Sequence, residues 1–142
     1  MELTCASLDD IRGILPHLTE RLSDFNLFLL KGDLGAGKTT LVQQWLKSLS
    51  VEEDVSSPTF SIINEYHSTT GRVFYHMDMY RLKEPVEALN IGLEDYLRQE
   101  DAVIIIEWPE VILDLLDPPF VFLEITLEGD VRRIHLKEIH SS

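Results

Sequence analysis

The stretch Gly32-Asp33-Leu34-Gly35-Ala36-Gly37-Lys38-Thr39 matches the eight-residue pattern G-x-x-x-x-G-K-[ST] and directly follows the apolar residues 27–30. This pattern functions where a buried strand ends, a glycine-rich turn follows and a helix begins, because backbone N–H groups and the helix dipole then face one point. A predicted strand over 25–30 and a predicted helix over 38–49 supply that context. A chance glycine turn is the weaker interpretation, since strand, motif and helix are in register. The sequence therefore predicts a loop that binds a nucleoside triphosphate.

Two side chains at the end of the motif carry its predicted chemistry. Lys38 is expected to reach the β- and γ-phosphates, where its ammonium group offsets their negative charge. The hydroxyl of Thr39 is placed to ligate magnesium. Both residue types are present at the required spacing.

The composition predicts one acidic domain. The chain has 142 residues, too few for a nucleotide domain plus an independent substrate domain, so residues 1–142 are predicted to form a single unit. Its 25 acidic residues outweigh 12 basic ones and give a formal net charge of −13. Neutralising nucleic-acid phosphates needs a basic face. The charge therefore argues against nonspecific nucleic-acid binding and favours a basic protein partner.

Cysteine usage and the N-terminal residues predict a cytoplasmic location. Cys5 is the single cysteine, which excludes an intramolecular disulfide and fits a reducing compartment. Residues 1–4 lack the basic and apolar regions of a signal peptide, and no apolar run approaches the length needed to span a membrane. We expect no membrane association.

Strand and helix patterns alternate in the first half of the chain, and hairpin patterns follow. Strands are predicted at 2–5, 25–30, 60–66, 72–77, 102–106, 120–127 and 131–138. Helical segments are predicted at 9–22, interrupted by Pro16, at 38–49, and at 86–99, broken near Gly92. This order predicts an α/β fold, a single P-loop NTPase domain with a mixed parallel and antiparallel central sheet and helices on both faces. The nucleotide is expected beyond the carboxyl end of the strand before the loop.

Two acidic residues follow predicted strands and are candidates to join the loop. Glu107 ends the apolar run 103–106, a pattern typical of a carboxylate that holds magnesium or orients the attacking water. Asp78 ends the run 73–77 and could serve either purpose. An acid after a strand can also be an ordinary helix cap or a solvated turn residue. An intact phosphate loop makes the functional interpretation stronger, more so for Glu107.

Three further residues have two interpretations each. Thr59, in the segment 57–60, is placed as a sensor of the γ-phosphate, but the same sequence is typical of a proline turn before a strand. His76 has no companion ligands in sequence and fits a packed strand residue better than a base or metal ligand. Trp108 could belong to the core or cover the phosphates.

Four motifs in order and spacing resemble one family. They are Gly32-Asp33-Leu34-Gly35-Ala36-Gly37-Lys38-Thr39-Thr40, Ser57-Pro58-Thr59-Phe60, Tyr75-His76-Met77-Asp78-Met79-Tyr80-Arg81-Leu82 and Ile106-Glu107-Trp108-Pro109. Together they resemble the TsaE family, formerly called YjeE, over a range from before residue 30 to about residue 135. The resemblance implies a bacterial ATPase needed for the threonylcarbamoyladenosine modification of transfer RNA.

The resemblance also implies a set of site residues and partners. ATP phosphates would be held by Gly35, Ala36, Gly37, Lys38, Thr39 and Thr40. Mg²⁺ would be held by Thr39 and Glu107, while Asp78 would assist a slow hydrolysis. Thr59 would belong to a loop that responds to the γ-phosphate, and Arg133 would lie near the base. The partners implied are TsaD and TsaB, whose cycle ATP hydrolysis would reset.

Other functions compatible with a phosphate loop make different demands on the sequence. A small-molecule kinase normally adds an arginine-bearing lid, and no arginine-rich pattern occurs between residues 82 and 97. A GTPase needs an Asn/Thr-Lys-x-Asp motif, which is absent from the chain. A non-hydrolysing, nucleotide-gated adaptor would use the same residues as a slow ATPase, so that alternative stays open.

Overall fold

The computed structural model describes residues 1–5, 9–33, 35–52 and 62–141. Thr59 and the rest of the predicted sensor segment lie outside the described residues.

Seven strands of the described chain form one mixed sheet in the order β1-β7-β6-β2-β5-β4-β3. The strands are β1 (Glu2–Cys5), β2 (Leu27–Gly32), β3 (Ile63–His67), β4 (Val73–Asp78), β5 (Val103–Glu107), β6 (Phe120–Glu128) and β7 (Val131–Ile139). The neighbours β4–β5, β5–β2 and β2–β6 are parallel. Antiparallel pairs β3–β4, β6–β7 and β1–β7 extend the sheet on both sides.

The central strands are apolar because both of their faces are covered. All residues of β5 are buried, as are the first four of β2. A strand that is buried on both faces reads as a continuous apolar run instead of an alternating one. β2 and β5 therefore form the buried centre of the sheet, and the carboxyl ends of the four parallel strands lie at the same edge.

Helices cover both faces of this sheet. One core contains side chains of the 3₁₀ helix Asp9–Ile14, of α1 (Leu15–Arg21) and of α2 (Lys38–Ser48). The opposite core contains side chains of α3 (Pro85–Asn90), α4 (Leu93–Leu97) and the 3₁₀ helix Pro109–Leu115. The α/β class, the mixed sheet and the two covered faces are confirmed.

The helical segments differ from the sequence prediction in two details, the 3₁₀ start of the first segment and a 3₁₀ helix after Trp108. The segment predicted at 9–22 begins as a 3₁₀ helix, and Pro16 lies in the first turn of α1, where a missing N–H costs no intrahelical bond. The break predicted near Gly92 is confirmed, because α3 and α4 are separate helices and Gly92 has φ 88° before α4. The 3₁₀ helix after Trp108 was not predicted. In the described ranges, no helix combines the length and apolarity needed to cross a membrane.

Candidate functional site

Two glycines of the motif, Gly32 and Gly37, are required for different structural reasons. Gly37 has φ 105°, a conformation that residues with a Cβ rarely adopt, and it directly precedes α2. Gly32 is required by close approach instead, because a Cβ there would lie 2.7 Å from the carbonyl oxygen of Ile125 on β6. The first glycine of the motif thus allows strand packing, and the last one turns the chain into the helix.

A cavity of about 280 Å³ lies against this loop, at the carboxyl ends of the parallel strands. Its lining comprises Gly35, Ala36, Gly37, Lys38, Thr39, Thr40, Asp78, Tyr80, Glu107, Trp108 and Arg132. The register of the sheet explains the two acids, because Glu107 pairs with Leu30 of β2 on one side and with Asp78 of β4 on the other. The sheet therefore places Glu107 beside the end of β2, from which the loop starts, and Asp78 one strand further away.

Glu107 and Thr39 form a pair of oxygen donors inside the cavity. The Thr39 hydroxyl donates to the Glu107 carboxylate, with Oγ1 at 3.0 Å from Oε1 and 3.1 Å from Oε2. Hydroxyl and carboxylate oxygens are the hard ligands that Mg²⁺ prefers, usually with phosphate and water completing the shell. No group of three His, Cys, Asp or Glu side chains among the described residues forms a complete cage. This donor set fits a magnesium ion held jointly with a phosphate.

Lys38 is buried and contacts the loop itself. Its side chain is at the first position of α2, and the residue is only 5% exposed. Nζ donates to the carbonyl oxygens of Gly32 and Asp33, and it lies 3.9 Å from the centroid of the Trp108 ring. Burial lowers the pKa of Lys38, while the surrounding acids, Glu107 first among them, oppose that shift. Contacts with the loop and with Trp108 therefore hold the ammonium at the wall of the cavity.

Asp78 is a carboxylate in a partly buried position. Burial raises its pKa from the ordinary value of 3.8, and the negative charge of Glu107 acts in the same direction. The backbone N–H of Tyr80 donates to Asp78 Oδ1 at 2.9 Å and opposes the shift. A carboxylate with a raised pKa is a better proton acceptor than a fully solvated one, which suits a group that faces an attacking water.

An aromatic wall made of Trp108 and Tyr80 closes one side of the cavity. Trp108 follows Glu107 with φ 56° and ψ 57°, a left-handed conformation that is uncommon outside glycine. Its backbone N–H donates to Leu30 at 3.2 Å, and its ring packs against Tyr80 with centroids 4.7 Å apart. The turn after β5 therefore aims the indole ring back at the phosphate loop.

Two neighbouring arginines of β7 have different surroundings. Arg132 lines the cavity, and its Nε donates to the carbonyl oxygen of Ala36 at 2.9 Å. Its second contact is with Gly35 at 3.4 Å. Arg133 donates to Glu128 at 2.8 Å and is not part of the cavity lining. Among the described lining residues, Lys38 and Arg132 are the cationic groups.

Comparisons with known proteins assign the chain to a family. The sequence profile described as "Threonylcarbamoyl adenosine biosynthesis protein TsaE" matches residues 5–135. The chain belongs to the TsaE family. A "tRNA threonylcarbamoyladenosine biosynthesis protein TsaE" of Nostoc sp. is 51% identical over 102 residues, which are 69% of this chain and 60% of that protein. The protein of the same name in Rickettsia felis is 40% identical, over 89% of this chain and 72% of its own length.

A solved structure agrees with this assignment. The crystal structure of Bacillus subtilis YdiB superposes with a TM-score of 0.76 at 27% identity. The superposition covers 98% of this chain and 85% of YdiB. The chain spans about 60% of the Nostoc relative and 90% of the relative from Rickettsia typhi.

The predicted site residues of this TsaE-family chain divide into three groups. Those that line the cavity are Gly35, Ala36, Gly37, Lys38, Thr39, Thr40, Asp78 and Glu107. Thr59 lies outside the described residues, and Arg133 lies off the cavity. Sequence reasoning missed Arg132, Tyr80 and the contact of His76 with Glu107. Tyr80 has the spacing Asp78-x-Tyr80 as its signal, whereas Arg132 is recognisable only once the hairpin register is known.

Proposed function

We propose that this TsaE-family protein is a Mg²⁺-dependent ATPase that supports formation of threonylcarbamoyladenosine in tRNA by acting with the TsaB/TsaD pair. The observation that carries the proposal is the convergence of Lys38, Thr39, Asp78 and Glu107 on one cavity beside the phosphate loop. One ammonium, one hydroxyl and two carboxylates are the groups needed to hold a metal–triphosphate complex and orient water.

Binding is assigned to the loop, the start of α2 and Glu107. Lys38 would exchange its contacts with loop carbonyl oxygens for contacts with the β- and γ-phosphates. Thr39 and Glu107 would hold Mg²⁺, which supplies charge neutralisation on the phosphate oxygens when it is bound. Thr40 and the backbone of Gly35, Ala36 and Gly37 would complete the phosphate cradle.

Hydrolysis is assigned to Asp78. Its carboxylate lies at the end of β4, beside Glu107 in the register of the sheet. We assign it to orient and accept a proton from the attacking water, a role that its raised pKa supports. Thr59 is proposed to sense the γ-phosphate, as its position between α2 and β3 suggests.

The partner assignment rests on the family and on charge. The relatives carry the name of tRNA threonylcarbamoyladenosine biosynthesis proteins. The net charge of −13 favours a protein surface over tRNA as the direct contact. We propose TsaD and TsaB as the partners and a cytoplasmic location.

Phosphate release from ATP, measured with and without the TsaB/TsaD pair, tests this proposal. We expect slow, Mg²⁺-dependent release that changes when the pair is added. Transfer of phosphate to a small molecule would instead support a kinase. Residues 82–97, where a kinase lid would lie, form α3 and α4, and they contribute none of the described cavity-lining residues.

The remaining alternative is a nucleotide-gated adaptor. Such a protein would bind the pair in a nucleotide-dependent manner but release no phosphate under any condition. Hydrolysis that disappears in Asp78→Asn while binding of the pair persists would rule this alternative out, because it would assign the measured turnover to this cavity.

A further inference from the structure

His76 is a buried polar residue that contacts Glu107, a ligand of the proposed magnesium site, from the protein interior. It lies on β4 and is 0% exposed, and its Nε2 is 2.5 Å from Oε2 of Glu107. Glu107 is itself only 2% exposed. The other ring nitrogen, Nδ1, is buried and has no hydrogen-bond partner in the described part of the chain. The imidazole is therefore directed at one carboxylate and at no wider polar network there.

The hydrogen-bond chemistry fixes the direction of this contact. A carboxylate that serves as a metal ligand is ionised and has only acceptors, so in that state Nε2 carries the hydrogen and donates to Oε2. Thr39 contacts the same carboxylate from the side of the cavity, through both oxygens. The Glu107 carboxylate is thus held between a ring N–H in the protein interior and a hydroxyl at the phosphate loop.

The sheet places the His76 ring on the same face as the two acids. His76 pairs with Ile105 and Asp78 pairs with Glu107 in the parallel register of β4 and β5. His76 and Asp78 are two residues apart, so their side chains leave the same face of the sheet. The ring consequently lies two residues before Asp78 on the face that carries both acids. In this part of the core, a carboxylate without a donor would be costly.

We propose that His76 is a positioning residue for the metal ligand Glu107. Its Nε2–H would hold Oε2 and thereby fix the orientation of the carboxylate, which Thr39 contacts through both oxygens. This inference rests on the magnesium site of the proposed function and deepens it. Donors that fix a ligand in this way commonly change metal affinity by about 10- to 100-fold when they are removed.

Paired substitutions separate positioning from packing. His76→Phe keeps an aromatic ring in the core and removes the donor. His76→Gln removes the ring, but its side-chain amide N–H can reach Oε2. The measurement is ADP affinity by calorimetry as a function of Mg²⁺ concentration, with a parallel series in a metal chelator. We expect His76→Phe to need at least about 10-fold more Mg²⁺ than the wild type to reach the same ADP affinity.

We expect His76→Gln to stay within about threefold of the wild type in its Mg²⁺ requirement, a range below the effect of losing the donor. ADP affinity in chelator should be the same in all three proteins. An unchanged Mg²⁺ requirement in His76→Phe overturns the proposal, as does an equal loss in both variants, which would indicate packing. Wild-type ADP binding that is independent of Mg²⁺ would instead overturn the magnesium site itself, and the positioning role with it.

A second measurement on the wild-type protein covers the case in which His76→Phe does not fold. In ¹⁵N-histidine-labelled protein, NMR should detect a slowly exchanging proton on Nε2 of His76, and this proton should persist when Mg²⁺ and ADP bind. A ring with no proton on Nε2, or one that loses it in the complex, contradicts the proposed contact.

Discussion

At the scale of single residues, Lys38 illustrates how a charge is kept ready for a ligand. Lys38 is a buried residue, and its ammonium contacts loop carbonyl oxygens and the Trp108 ring. Burial lowers its pKa although Glu107 and other nearby acids oppose the shift, so a further counter-charge would stabilise the cation. An incoming phosphate supplies that counter-charge, which favours exchange of the carbonyl contacts for phosphate contacts.

Lys38→Ala should weaken ATP binding, because it removes the ammonium that reaches the β- and γ-phosphates. We expect a loss on the order of 10- to 100-fold in affinity, as for other charge-assisted hydrogen bonds. Isothermal titration calorimetry measures it. Lys31→Ala is the matched control, since Lys31 is exposed and pairs with Glu124 at 3.7 Å. Equal losses in both variants would show a general charge effect only.

The two acids should differ in what they affect. Glu107→Gln should reduce the Mg²⁺ dependence of ATP binding, because a metal ligand acts in the ground state. Asp78→Asn should leave binding intact and slow hydrolysis by about 10²- to 10⁴-fold, because a proton acceptor acts mainly in the transition state. Phosphate release and Mg²⁺ titrations measure both. Matching losses of metal-dependent binding would mean that the two roles are shared.

The thermal stability of the Asp78→Asn variant tests whether burial disfavours the ionised carboxylate of Asp78. Burial raises the pKa of Asp78, so the ionised carboxylate disfavours the folded state at neutral pH. The asparagine variant should therefore unfold at a higher temperature than the wild type at pH 7. This advantage should shrink as the pH falls through the raised pKa and vanish below the ordinary value of 3.8. A variant that is less stable at pH 7 would indicate lost contacts instead.

The two arginines of β7 should separate in the same binding assay. Arg132→Met should weaken ADP and ATP binding by roughly 10-fold, because it removes a cation that lines the cavity and contacts the loop. Arg133→Met makes the same change one residue away and is expected to have a smaller effect. A larger loss for Arg133→Met would support the sequence prediction that Arg133 lies near the base.

At the scale of elements, the sequence predicted those parts of the site that a local pattern identifies, each within its own segment of the chain. The loop follows from its motif, and Glu107 and Asp78 follow from apolar strands that end in an acid. Arg132 could not be found this way, because its approach to Ala36 depends on the register between β6 and β7. His76 was interpreted as a packed residue, since its partner Glu107 is 31 positions away.

Gly32 and β6 test the packing of elements around the loop. Gly32→Ala should reduce the free energy of unfolding by about 1–3 kcal/mol, because its Cβ would meet the Ile125 carbonyl oxygen at 2.7 Å. Chemical denaturation measures the change. Gly13→Ala is the control, since a Cβ there would meet no atom of the described residues within 4 Å. A neutral Gly32→Ala would show that β2 and β6 separate without cost.

At the scale of the whole molecule, nucleotide and partner binding should be coupled. If Thr59 senses the γ-phosphate, the TsaB/TsaD pair should bind the ATP-analogue and ADP forms with different affinity, and by linkage it should change nucleotide affinity by the same factor. We expect at least a fivefold difference, the lower end of typical coupling energies. Titrations with ADP, a non-hydrolysable ATP analogue and no nucleotide measure it. Identical affinities in all three would exclude gating.

The contact between Trp108 and Lys38 also gives the protein an optical signal of its own. The chain has two tryptophans, and Trp45 is fully buried in the core on the α2 side of the sheet. Trp108 lies in the cavity wall, with the ammonium 3.9 Å from its ring centroid. Moving that charge toward a phosphate changes the field at the indole ring. Intrinsic fluorescence should therefore follow nucleotide binding without a label, against a constant background from Trp45.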